Sequence, residues 1–148
     1  MQRNLMWTLK QLHLSLEQYG KAQMKELDLS LTQGIVLHYL LAHEDQAIYA
    51  VDLHATLGIS KSSVSSTLKS LKQKGYLRMA ENPKDDRKKR IVLTDKAHHA
   101  ERAIEASLAR QQERLLKAIP DQHLKWLEDD LNLMLSHVNR QIRLEENV

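Results

Sequence analysis

With 148 residues, 42% of them apolar and 28% charged, the chain is long enough for one domain with a real core and has ordinary globular usage, which excludes disorder and fibrous repeats. It has no cysteine, so a disulfide framework, a thiolate zinc site and a thiol redox switch are excluded. The net charge of +3 is unevenly placed. Between residues 61 and 90, Lys61, Lys69, Lys72, Lys74, Arg78, Lys84, Arg87, Lys88, Lys89 and Arg90 face only Glu81, Asp85 and Asp86, a local +7 that leaves −4 for the rest.

In chain order, Leu5, Leu9, Leu12, Leu16 and Tyr19 recur at steps of four and three and predict an amphipathic helix from about Arg3 to Lys25. Trp7 and Leu14 lie off that stripe, so the helix needs more than one partner, and a second subunit is a candidate. Thr8, Lys10, Gln11 and His13 interrupt its apolar residues, so no signal-peptide core exists. No segment approaches the apolar run of about 18 residues that a membrane span needs, and the cytoplasm is the expected location, with no membrane partner. After Asp28-Leu29-Ser30, a second helix opens at Leu31-Thr32-Gln33. Ile35, Val36, Leu37, Tyr39, Leu40 and Leu41 make it apolar nearly all round and hence central.

The polar break His43 to Gln46 leads into a short helix from about Tyr49 to Leu57 that stops at Gly58. Ser60 caps the next helix, with Val64, Leu68 and Leu71 inward, until Gly75 ends it; this is helix-turn-helix spacing. Tyr76 to Met79 and Lys89 to Leu93 read as strands around a polar loop, Glu81 to Lys88. Thr94-Asp95 caps a helix to about Lys117 carrying Ala97, Ala100, Ile104, Leu108, Leu115 and Leu116, and Pro120-Asp121 restarts the chain. The last helix repeats Leu124, Leu127, Leu131, Met134, Val138 and Ile142, widened by Leu133 and Leu135. The expected fold is mainly α with a small β-hairpin wing, a single domain over 1–148 with a winged helix-turn-helix lobe at 30–95.

On a helical wheel Val64, Leu68 and Leu71 point one way and Ser62, Ser66, Lys69 and Gln73 the other, with Ser63, Ser65 and Ser70 on the flanks. Short hydrogen-bonding side chains at a helix N-terminus are what a helix entering the major groove needs, because the backbone must come close to base edges and phosphates. The basic hairpin beside them points the same way. Its run Asn82 to Thr94 resembles the wing of the MarR family of bacterial transcriptional regulators, through Asp85-x-Arg87 and a strand ending in Leu93-Thr94. Leu31-Thr32 with Leu37, and Asp52-Leu53 through Leu57-Gly58-Ile59-Ser60, match upstream. The resemblance covers nearly the whole chain, with its specific motifs between about Leu31 and Ala97. It departs at His54, where the family usually has alanine, and at Ala97, where glycine is common.

The resemblance implies a regulator of transcription, in expectation a repressor, that binds double-stranded DNA at a palindromic operator as a homodimer. Helices over 3–25 and 97–146 would form the dimerisation region, the recognition helix would enter the major groove and the wing the minor groove. The implied DNA-binding residues are Ser60, Lys61, Ser62, Ser63, Ser65, Ser66 and Lys69 on the helix, with Lys84, Asp85, Arg87, Lys88, Lys89 and Arg90 in the wing. Asp85 would orient Arg87, whose guanidinium suits a narrow, negative minor groove.

The family also implies a small, often aromatic or anionic effector between dimerisation helices and lobe, for which Trp7, Tyr19, His38 and Tyr39 are candidate lining residues, each more often ordinary core or interface. No cofactor and no metal are expected. His98 and His99 diverge by about 100° on a helix, and residue 102 is Arg102, so the paired histidines of zinc-binding relatives are absent. No glycine-rich phosphate loop, cysteine nucleophile or histidine-carboxylate grouping of assignable roles suggests an enzyme, and no catalytic residue is assigned. The alternative is a winged-helix protein–protein interaction module, which an acidic recognition face would signal; Ser62, Ser66 and Lys69 point the other way.

Overall fold

The computed structural model describes residues 4–81, 83–84 and 88–147, in two compact units, Met1–Gln111 and Gln112–Val148. The first holds the lobe. α1 (Leu5–Gln23) begins at Asn4, whose side-chain oxygen accepts the Trp7 N–H at 3.3 Å. It runs into a 3-10 turn at Lys25–Leu27 that periodicity did not reveal, closed by Asp28 in the left-handed region at φ 56. α2 (Leu31–Ala42) opens with a reciprocal cap, in which Ser30 Oγ accepts the Gln33 N–H and Gln33 Oε1 accepts the Ser30 N–H, both at 3.1 Å. Val36, Leu37, Leu40 and Leu41 are buried, but Ile35 is 48% exposed, so α2 keeps one open face.

α3 (Ala50–Leu57) stops at Gly58, φ 68, and α4 (Lys61–Gln73) is capped by Ser60, both as the local chemistry demands. α4 ends in a Schellman turn: Gly75 takes φ 84, its N–H donates to Lys72 O at 3.0 Å, and the Tyr76 N–H donates to Leu71 O at 2.9 Å. That turn corrects the expected strand start. Tyr76 is folded into the core, its hydroxyl donating to Leu27 O at 2.5 Å, and β1 is Leu77–Ala80. β2 is Arg90–Leu93, one residue later than expected, antiparallel to β1 with Leu77 opposite Leu93 and Ala80 opposite Arg90. The strand also gains a partner that the sequence did not suggest: the Ile91 N–H donates to Ile48 O at 2.9 Å and the Ala50 N–H to Lys89 O at 3.1 Å. The wing base is thus fastened to the start of α3.

α5 (Asp95–Leu116) starts under Thr94, whose Oγ1 accepts the Ala97 N–H at 3.4 Å, and buries Ala97, Ala100 and Ile104 against Leu37, Leu40, Leu53, Leu68 and Leu71 in one core. In the second unit, α6 (Asp121–Glu146) follows Pro120 and buries no residue. Trp126, Leu131, Leu133, Leu135, Val138, Ile142 and Leu144 are all exposed, far more apolar surface than an isolated helix tolerates in water. Among the described residues no helix is long and apolar enough to cross a membrane.

Candidate nucleic-acid interface

α4 sorts its side chains cleanly. Val64, Thr67, Leu68 and Leu71 are buried, whereas Ser62, Ser66, Lys69 and Gln73 are exposed on the opposite face and Ser65 is exposed on its flank. At its N-terminus three hydroxyls gather: Ser60 Oγ accepts the Ser63 N–H at 3.1 Å, donates to Ser63 Oγ at 2.9 Å, and lies 3.1 Å from Ser62 Oγ. Lys61 is exposed beside them. The result is a short-chained, hydroxyl-rich helix start at the positive end of the helix dipole, open to an approaching anion or polar edge.

The hairpin adds positive charge to the same unit. Lys84, Lys88, Lys89 and Arg90 are exposed, and Lys88 Nζ stands 5.6 Å from the centre of the Tyr49 ring. Arg90 opens β2 and bridges to Tyr49, lining a cavity of about 70 Å³ with Leu40, Glu44, Gln46 and Ile48. Asp85 and Arg87 lie outside the described residues. Lys74, counted in the basic segment, is drawn inward: its Nζ donates to Asp28 O at 2.5 Å and to Gln33 Oε1 at 2.8 Å.

Residues 27–88, from the end of the 3-10 turn past β1 and stopping short of β2, match the MarR family model. The match takes in the helix-turn-helix and the first wing strand and makes this segment similar to the MarR family. Among solved structures, MepR of S. aureus in a DNA complex superposes with a TM-score of 0.85 at 20% identity, over 93% of this chain and 99% of that one. A putative MarR-family regulator from Listeria monocytogenes, complexed with a 26mer DNA, gives 0.78 at 20% identity, over 94% and 91%. The regulator MarR from Oenococcus oeni gives 0.72 at 24% identity, over 90% and 99%. At such identities the shared property is the fold.

The two departures from the MarR pattern are accommodated locally. Ala97 is fully buried in the first turn of α5, where its methyl is core, and His54 sits half-buried on α3 with Nδ1 3.0 Å from Val51 O of its own helix. The candidate effector residues are spread out. Trp7 is exposed and Tyr19 half-buried on α1, about 18 Å apart along the axis for twelve residues. His38 and Tyr39 are half-buried on α2, and the Tyr39 ring stacks on His43 at 4.1 Å.

His98 has a partner that no local pattern signals. Its Nε2 donates to Glu44, 2.6 and 2.7 Å from the two carboxylate oxygens, joining the start of α5 to the segment after α2. The hydrogen bond to Glu44 raises the imidazole pKa above 6.5 against a small desolvation penalty, helped by the charges of Glu44, Asp95 and Glu101. His99 is exposed, and among the described residues no three potential metal ligands come together.

Proposed function

We propose that this chain is a transcriptional regulator that binds double-stranded DNA sequence-specifically as a homodimer, with α4 in the major groove and the hairpin in the minor groove of a palindromic operator. The observation that carries the reading is the outward face of α4, where Ser62, Ser66 and Lys69, with Ser65 on the flank, are all exposed behind a hydroxyl-rich N-terminus. Serine reads base edges of either kind at close range, and lysine donates to the acceptor edge of guanine, so the face suits base contacts better than a protein partner, which would call for aromatic or aliphatic anchors. The +7 segment supplies the phosphate attraction that any duplex binder needs.

Dimerisation is supported by the exposed apolar side chains of α1 (Leu5, Met6, Trp7, Leu12, Leu14) and of α6, each helix taken alone. A two-fold dimer presents two α4 helices and therefore reads a two-fold site, with half-sites about one helical turn apart. A dimer seated over both half-sites occludes that stretch of duplex, which is the simplest route to repression. The test is selection of binding sites from random duplex DNA by the full chain. An enriched palindrome is the expected result; no enrichment, with equal binding to all duplexes, would leave only a basic surface.

A further inference from the structure

Lys74 sits in the most basic stretch of the chain, yet its side chain is only 24% exposed. Besides the bonds to Asp28 O and Gln33 Oε1, its Nζ stands 3.8 Å from the Asp28 carboxylate. Gln33 in turn works in three directions. Its Oε1 accepts both the Ser30 N–H and Lys74, and its Nε2 donates to Ser70 Oγ at 3.0 Å. Ser70 and Lys74 are one turn apart on the flank of α4, next to the outward face. One amide side chain therefore ties the first turn of α2 to two successive positions near the C-terminal end of α4. A second tie lies alongside, where Lys96 Nζ donates to Lys74 O at 2.5 Å and packs 4.5 Å from the centre of the Tyr76 ring.

We infer that Gln33 and Lys74 are positioning residues for base recognition: they clamp the C-terminal end of α4 to the Asp28–Gln33 corner and so set the angle at which Ser62, Ser66 and Lys69 meet the groove. The inference rests on the DNA-binding reading of α4. Its physical basis is leverage. Ser62 precedes Lys74 by twelve residues, about 18 Å along the helix, so a tilt of about 10° at the clamp carries Ser62 sideways by about 3 Å. That far exceeds the tolerance of about 0.5 Å for a working polar contact. The apolar face of α4 holds the helix on the core, and the polar clamp adds directional bonds that fix its rotation over that core.

A phosphate contact and a clamp leave different traces. Removing a phosphate contact flattens the salt dependence of log affinity, by about 1.8 for two contacts per dimer at roughly 0.9 each, and weakens all duplexes alike. Removing a clamp degrades discrimination and leaves the salt slope alone. The experiment compares the full-length protein with Lys74→Met, Gln33→Ala and Gln33→Glu on the selected operator and on a scrambled duplex across a salt series, with amide hydrogen exchange on the free proteins. Lys74→Met and Gln33→Ala are each expected to lose about tenfold or more on the operator and about twofold or less on the scrambled duplex. The scrambled-duplex salt slope is expected to stay unchanged, and exchange to speed up in the last turn of α4. Gln33→Glu keeps an acceptor for both Ser30 and Lys74 and is expected to keep the operator preference.

Equal loss on both duplexes for Lys74→Met, with the flatter slope, would make Lys74 a phosphate contact and overturn the inference. So would unchanged binding and unchanged exchange in Gln33→Ala, which adds no charge change and decides the matter if circular dichroism shows Lys74→Met unfolded. If the wild type binds no duplex, the DNA reading fails on its own, and the clamp stands or falls by whether exchange in α4 accelerates in the variants.

Discussion

Replacing Gly20 by alanine should destabilise the protein even though it puts a better helix former into α1. A Cβ at that position would stand 2.6 Å from Leu31 Cβ and 3.3 Å from both Leu31 Cα and Gln111 Oε1. Carbon atoms rest at about 3.5–4.0 Å, so α1 would have to retreat from α2 by about 1 Å. Neither atom in the closest pair has a torsion that could relieve the clash, which places the cost in the upper part of the roughly 1–3 kcal/mol range for overpacking. Alanine returns about 1 kcal/mol of helix propensity, leaving a net loss of about 1–2 kcal/mol. For a chain of this size that is a fall in Tm of roughly 3–6 °C. Gly34→Ala is the control, because its Cβ would meet only Met24 Cε at 2.7 Å and Sδ at 2.8 Å, the far end of a side chain with three rotatable bonds. A strained Met24 rotamer costs about 0.5–1.5 kcal/mol and the helix gain is about 1 kcal/mol, so this variant should stay close to wild type. Thermal and urea denaturation at matched protein concentration measure both, since assembly makes Tm concentration-dependent. A Gly20→Ala protein as stable as wild type, or less affected than Gly34→Ala, would refute the close α1–α2 approach.

The His98–Glu44 pair predicts a small pH dependence of stability: with the folded pKa raised, the contribution is complete below the unfolded value near 6.5 and is lost as pH rises through the folded pKa. Both side chains are about two-fifths exposed, so the effect is a few tenths of a kcal/mol, and an NMR titration placing His98 at or below 6.5 would remove the pair. Arg87→Ala should lower operator affinity more than random-duplex affinity, by about 1–3 kcal/mol per subunit, and Arg87→Lys should restore charge without discrimination. Equal loss on both duplexes, rescued by lysine, would make Arg87 one more phosphate contact. Sedimentation should find a dimer at micromolar concentration that Val138→Asp dissociates; a monomeric wild type would contradict the reading of the exposed apolar faces of α1 and α6.

Features written in local chemistry were legible in the sequence. Ser60 as a cap, Gly58 and Gly75 as left-handed stops, and the inward row Val64, Leu68, Leu71 all depend on residues within a turn or two of each other. What escaped was set by partners far along the chain. Tyr76 looks like a strand residue by composition, but the Schellman turn before it swings the ring into the core, where it meets a carbonyl 49 residues upstream. Ile48 and Tyr49 carry no strand signal, being too short a run, and bridge to β2 only because it lies alongside. Lys74 was counted with the basic face because charge counting cannot see Asp28 or Gln33, 46 and 41 residues away. The His98–Glu44 pair spans 54 residues and was invisible for the same reason.

The claim that α4 reads bases is tested most directly by methylation interference on the selected operator, since guanine N7 is exposed only in the major groove and adenine N3 only in the minor groove. Base reading by α4 predicts that methylation at guanine N7 blocks binding in two patches centred about 10–10.5 base pairs apart, and that Lys69→Ala or Ser66→Ala weakens the block at particular guanines. Full binding to duplexes methylated at every guanine N7 would contradict it and would leave the duplex held by minor-groove and phosphate contacts alone.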